Sequence, residues 1–247
     1  MGVSIAVPAR FASQRFPGKI LKPLGGMPLL RRVLERIKTV QGIEEIVALV
    51  DETEVAALVN SWGFRAILTS QDCISGTERI ASVARELKGN FIVNVQGDEP
   101  FIALQLLEKM ICRASSFEAS LWTAIYPITS AAMLFDPNRV KVVIDKDDRA
   151  IYFSRSPIPY LRDKEERTTW PEGHQFWGHI GIYGYPKAVL TYYWTWTEGI
   201  LEKAERLEQL RFIENGIPIR VIKDTMPGIS VDTVDDLARA EAFLKLH

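Results

Sequence analysis

A chain of 247 residues with 47% hydrophobic and 25% charged side chains has the composition of a globular protein, long enough to bury a core without disulfide or metal staples. Thirty basic and 31 acidic residues leave a formal charge of −1, which excludes a general nucleic-acid or membrane-surface binder. Cys73 and Cys112 stand in no zinc or redox spacing and read as idle thiols. The first residues lack a basic n-region, and no apolar run approaches the roughly 18 residues of a membrane span, so a soluble, cytoplasmic protein is expected.

In chain order, Val3–Val7 is a continuous apolar strand, and 45–50, 64–68 and 91–95 read as three more. Between them Leu29, Leu30, Val33, Leu34 and Ile37 recur at helical spacing, as do Val55, Ala56, Val59 and Trp62 before Gly63. Further helices are expected over about 77–87 and 103–114. Strands separated by helices imply βαβ units and a parallel sheet, in which ligands bind beyond the carboxyl ends of the strands. From about residue 120 the pattern turns to strands at 120–128, 140–144, 150–154 and 179–185, an antiparallel or mixed region. Residues 157–177 read as a long loop. A helix over 201–213, a strand at 219–222 and a last helix carrying Val234, Leu237, Ala240 and Leu244 complete the chain.

Basic residues occupy positions 10, 15, 19, 22, 31 and 32 before the first acid, Glu35, leaving the rest of the chain net acidic. The segment from Pro8 to Lys19 follows the first strand and fits neither a P-loop nor the dinucleotide fingerprint. Pro17-Gly18 lets the backbone turn, and Arg and Lys can neutralise a polyphosphate, so this is either an anion site or a solvated loop. Asp98, in Gln96-Gly97-Asp98-Glu99-Pro100, stands past the fourth strand as a hard oxygen ligand suited to Mg²⁺; the same residues could form a turn. Asp232 and Thr233 are both good N-caps, and Asp232 becomes a metal ligand only if it faces Asp98. Ser75-Gly76-Thr77-Glu78-Arg79 opens a helix and either touches a nucleobase or sugar or simply caps that helix. Alternation puts His179, Gly181, Tyr183 and Tyr185 on one face, as a sugar surface or as structural residues. Helical spacing sets Glu208 between Ala204 and Phe212, where an acid wants a partner.

Taken in order, Pro8 to Leu21, 75–79, 94–100, Asn138 to Val143, Tyr152 to Arg155, 179–185, Leu207 to Arg211 and Pro227 to Thr233 resemble the pattern of the 3-deoxy-manno-octulosonate cytidylyltransferases, the CMP-KDO synthetases. Phe16 replaces a usual leucine, and residues 160–177 match no reliable pattern. The resemblance implies a Rossmann-like nucleotidyltransferase α/β fold, with a mainly parallel sheet and an inserted β-rich region for dimerisation and sugar binding. One domain over 1–247 would have a CTP-binding half at 1–118, the insertion at 119–200 and a return at 201–247. It further implies the reaction CTP + KDO → CMP-KDO + pyrophosphate, with Mg²⁺, in lipopolysaccharide biosynthesis, by a homodimer that takes no nucleic acid. Pro8, Ala9, Arg10, Arg15, Lys19 and Ser75 would bind CTP, with Arg10, Lys19, Asp98 and Asp232 catalytic and the two aspartates on the metal. Gln96, Arg155, His179, Tyr183, Glu208 and Gln209 would bind KDO. Activation of 8-amino-KDO or sialic acid is the nearest alternative, and a non-catalytic nucleotide-binding protein is more remote.

Overall fold

Strand β1 (Val3–Ala9) is buried at all seven positions, as a continuous apolar run must be when a parallel strand is covered on both faces. The computed structural model describes residues 2–12, 16–115, 120–224 and 228–246. After β1 a small ribbon, β2 (Pro23–Leu24) with β3 (Met27–Pro28), leads into α1 (Leu29–Ile37). All five apolar positions predicted for this helix are fully buried. Strand β4 (Glu45–Val50) pairs parallel with β1, and α2 (Thr53–Ser61) returns the chain to β5 (Arg65–Leu68), parallel to β4. Helix α3 (Gly76–Ser82) precedes β6 (Phe91–Asn94), which pairs parallel with β1 on its other side, and α4 (Leu104–Cys112) follows. The helix expected over 77–87 stops at Ser82 and tightens into a 3-10 turn at Ala84–Glu86.

The later elements are β7 (Leu121–Ile128), α5 (Ala131–Phe135), β8 (Lys141–Ile144), β9 (Ala150–Ser154), α6 (Trp170–Gly173), β10 (Phe176–Pro186), α7 (Lys187–Tyr192), α8 (Ile200–Glu205), α9 (Gln209–Glu214), β11 (Ile219–Lys223) and α10 (Val234–Leu246). Contacts divide the chain into two units. Met1–Phe117, Gly184–Tyr193 and Pro227–His247 form the first, with strand order β6-β1-β4-β5. Glu118–Tyr183 and Trp194–Met226 form the second, in which β7 lies between β10 and β11. There β7 pairs parallel with β11, and β8 pairs antiparallel with β9 and β10, so the sheet is mixed.

Two expectations change in the second unit. The single helix over 201–213 is two short helices, because Arg206 adopts the left-handed conformation (φ 53°, ψ 52°) and ends α8. Ala204 and Glu208 therefore do not share a helix face. A buried, bidentate ion pair closes the angle between the two helices: Arg211 donates to both Glu202 oxygens, at 2.6 and 2.8 Å. The loop over 157–177 is not structureless either. Trp170, 2% exposed, begins α6, stacks on Phe176 with centroids 6.3 Å apart, and donates Nε1–H to the Lys164 carbonyl.

Candidate active site

The first unit opens a cleft beyond the carboxyl ends of β1 and β6, lined by Pro8, Ala9, Arg10, Lys19, Ser75, Gly76, Arg79, Gln96, Gly97, Asp98 and Asp232. Two glycines set its walls. A Cβ on Gly97 would lie 2.9 Å from Ala9 Cβ and 3.1 Å from the Pro8 carbonyl, so a side chain there would force apart the two strand ends. A Cβ on Gly76 would stand 3.2 Å from Gln96 Nε2 and 3.3 Å from Pro8 Cγ, narrowing the cleft. Ser75 is held by a capping arrangement. Its Oγ accepts the Glu78 amide, while the Glu78 carboxylate accepts the Ile74 amide at 2.6 Å. Capping and cleft lining are thus both roles of this segment.

Lys19 forms the charged centre. It opens a 3-10 turn behind Gly18, whose φ of 66° favours glycine, and it is only 7% exposed. Its ammonium donates to Asp98 Oδ2 and, at 2.8 Å, to Asp232 Oδ1. Burial pulls the lysine pKa down, but the Asp98 charge and the hydrogen bonds to both carboxylates outweigh it and leave a net rise. Asp232 faces Asp98 because the Val231 amide donates to the Asp98 carbonyl at 2.9 Å. Thr233, rather than Asp232, caps α10: its Oγ accepts the Asp236 amide, and Asp236 accepts the Asp232 and Thr233 amides in return.

Two residues of this centre escaped the sequence reading. Half-buried Glu99 has its pKa pushed up to about 8, by burial first and then by the charges of Asp98 and Asp232. Arg79, 2% exposed, donates to Thr69 Oγ and the Ser70 carbonyl and faces Asp51. Glu99 could have been suspected from its adjacency to Asp98. Arg79 ends the 75–79 segment of the family pattern, but nothing in that segment signals its burial or its pairing with Asp51.

The early basic residues do not act as one cluster. Arg10 is exposed in the cleft and Lys19 is buried beneath it. Arg15 lies outside the described residues. Lys22 sits over the Phe16 ring, Arg31 over Trp62, and Arg32 donates to the Leu24 and Gly25 carbonyls. Gln96, expected on the sugar, lines the cleft and donates to Asn94 Oδ1 at 3.2 Å.

The other expected sugar residues belong to the second unit. Arg155 donates to the carbonyls of Glu205 (2.8 Å), Pro137 (3.1 Å) and Arg206 (3.4 Å), leaving two of its five N–H bonds for other partners. His179 packs against Phe153 and Tyr183, ring centroids 5.0 and 5.4 Å away. Burial pushes its pKa down to about 3, so the ring is neutral. Thr123 Oγ has one proton to give, and the Ile182 carbonyl at 2.8 Å takes it. The same oxygen then accepts from His179 Nε2 at 2.8 Å, which leaves Nδ1 as the acceptor nitrogen. Tyr183 is buried, and Glu208 is half-buried at the start of α9. Gln209 is 3% exposed, with its Nε2 lacking a hydrogen-bond partner among the described residues. Tyr185, placed on the same strand face by alternation, belongs to the first unit, where its hydroxyl pairs with Thr77 at 2.7 Å as a packing contact.

A cytidylyltransferase family model matches residues 5–223. The 3-deoxy-manno-octulosonate cytidylyltransferase of Chloroherpeton thalassium is 39% identical over 247 residues, covering 99% of this chain and 98% of that protein. The enzyme of the same name from Syntrophotalea carbinolica is 38% identical, covering 99% of each. A solved CMP:2-keto-3-deoxy-manno-octonic acid synthetase complexed with CTP superposes with a TM-score of 0.92 at 36% identity, covering 100% of this chain and 99% of that one.

Proposed function

Since this chain belongs to the 3-deoxy-manno-octulosonate cytidylyltransferase family and has its nucleotidyltransferase fold, we propose that it condenses CTP with KDO to give CMP-KDO and pyrophosphate, the activated sugar serving lipopolysaccharide assembly. The observation that carries the chemistry is the convergence of Asp98 and Asp232 on one cation position in a cleft that also presents Arg10. Two carboxylates, with no larger cluster of metal-ligating side chains among the described residues, suit Mg²⁺, which completes its shell with phosphate oxygens and water.

Pro8, Ala9 and Ser75 border the cytosine, while Arg10, Lys19 and Arg15 neutralise the triphosphate. The anomeric hydroxyl oxygen of KDO bonds to the α-phosphorus as the bond from that phosphorus to the bridging oxygen breaks. The electron pair leaves on pyrophosphate, and the hydroxyl proton passes to solvent. Arg10 and Lys19 stabilise the charge that gathers on the leaving group. Asp98 and Asp232 would hold Mg²⁺, which supplies Lewis-acid polarisation and a template when bound. The family resemblance also assigns Gln96 to the sugar acid. In the second unit, Arg155 takes the sugar carboxylate with its remaining N–H groups. His179 Nδ1 and Glu208 accept sugar hydroxyls, and Tyr183 and the Gln209 Nε2 group add donors.

The test is pyrophosphate release with CTP or UTP crossed against KDO, 8-amino-KDO and sialic acid. CTP with KDO should be the best pair by at least tenfold. Equal rates with sialic acid, or release only with a sugar 1-phosphate, would sink the reading. The family also leads us to a homodimer in the cytoplasm. Exposed Tyr160 and Trp194 are the kind of surface a second copy would cover, and no described helix is long and apolar enough to cross a membrane. A monomeric mass by light scattering would overturn the dimer.

A further inference from the structure

Lys19 stands where a divalent ion would have to stand. Its ammonium bonds to a carboxylate oxygen of Asp98 and one of Asp232, and the side chain is almost wholly buried beneath the cleft. A metal held by the same oxygens at about 2.0–2.1 Å cannot share that point with an ammonium, by sterics or by charge. We propose that Lys19 is a built-in placeholder cation: it bridges Asp98 and Asp232 and offsets part of their charge before nucleotide binds, and moves onto the triphosphate when CTP enters.

The proposal rests on the reading of Asp98 and Asp232 as the metal pair. The backbone under Lys19 is pinned, since the Gly18 amide donates to the Phe11 carbonyl at 3.0 Å and the Lys22 amide to the Lys19 carbonyl at 3.0 Å. The exchange is therefore a movement of the four-carbon stem, which lysine can make and a rigid guanidinium fork cannot make as readily. Exposed Arg10 lies in the same cleft, so a triphosphate drawn to it arrives within the region Lys19 can reach. Metal and nucleotide then bind cooperatively, and by linkage each tightens the other by the same factor. Without nucleotide, a metal must displace a tethered cation that is already paired.

The experiment is Mn²⁺ binding followed by electron paramagnetic resonance, with and without a CTP analogue whose α,β-bridge is methylene. Wild type is compared with Lys19→Met, Lys19→Gln, Asp98→Asn and the Asp98→Asn/Lys19→Met double variant. Nucleotide-free Lys19→Met and Lys19→Gln should bind Mn²⁺ at least tenfold more tightly than nucleotide-free wild type, and Asp98→Asn should abolish the gain. Binding no tighter than wild type overturns the placeholder. It leaves the metal pair intact if Asp98→Asn still weakens Mn²⁺ binding in the nucleotide complex. If Asp98→Asn leaves that complex unchanged, the metal pair itself fails and the placeholder falls with it. A readout on the wild-type protein covers poor folding of the variants. Saturating Mn²⁺ should accelerate amidination of Lys19 by methyl acetimidate, read by peptide mass spectrometry, and an unchanged rate overturns the proposal.

Discussion

Asp51 Oδ2 lies 3.7 Å from the buried Arg79 guanidinium while its Oδ1 accepts the Phe11 amide at 2.8 Å. One carboxylate thereby ties the residues after β4 to the start of the basic segment and to α3, whose first turn lines the cleft. Asp51→Asn keeps an acceptor for Phe11 but leaves Arg79 buried without its counter-charge. Breaking such a pair costs about 3–5 kcal/mol, and each kcal/mol lowers the melting temperature by about 2–4 °C in a chain of this size. The variant should melt at clearly lower temperature and show a raised KM for CTP. An unchanged melting curve would show that Arg79 needs no partner.

The narrow approach between Gly76, Gln96 and Pro8 predicts a steric effect on nucleotide binding. Gly76→Ala adds one methyl to an already tight wall. The KM for CTP should rise by about tenfold, equivalent to about 1.4 kcal/mol, with the KM for KDO nearly unchanged. Steady-state kinetics with each substrate varied in turn would check it, and equal rises for both substrates would count against this wall as the nucleotide's.

How much of this was readable beforehand depended on how local each signal is. The apolar runs of β1, β4 and β6 and the spacing of Leu29 to Ile37 are local patterns, and they found their elements. The break at Arg206 was hidden because a left-handed non-glycine residue leaves no compositional mark, and the helical period runs on through it. Lys19 meets Asp98 across 79 residues and Asp232 across 213. No periodicity reports such a meeting: its place past β6 singled out Asp98, and the ordered motifs of the family paired it with Asp232. Arg79 and Asp51 were missed because burial of a helical arginine is decided by tertiary packing alone.

Arg155 holds three backbone carbonyls together from Pro137 to Arg206. Lysine keeps the charge but cannot span this fan. Arg155→Lys should therefore lose stability by about 2–3 kcal/mol, from hydrogen bonds that a charged group no longer makes. It should also raise the KM for KDO more than that for CTP. Chemical denaturation and kinetics together check it, and a pure stability loss with normal KDO kinetics would make Arg155 a structural clamp only.

His179 gives a pH dependence whose sign is fixed by its environment. Its folded pKa of about 3 lies below the ordinary value of 6.5, so below pH 6.5 the unfolded chain takes up a proton that the folded chain refuses. The stability this ring contributes is present above pH 6.5 and is lost as pH falls toward 3. Between pH 7.5 and 5 the loss amounts to about 2 kcal/mol. His179→Gln, which can still donate to Thr123, should flatten that part of the profile. Urea denaturation at the two pH values would decide it, with equal losses in both proteins ruling the ring out.

The first unit is drawn from three separated stretches of chain, and its cation centre uses the first and the last of them. During synthesis the parallel strands from β1 to β6 leave the ribosome together with Lys19 and Asp98, while Asp232 follows only after the whole second unit has been made. The nascent enzyme thus carries a nearly complete nucleotide wall for most of its translation, but its carboxylate pair closes last. Chains arrested before Asp232 consequently lack one of the two carboxylates that hold Lys19.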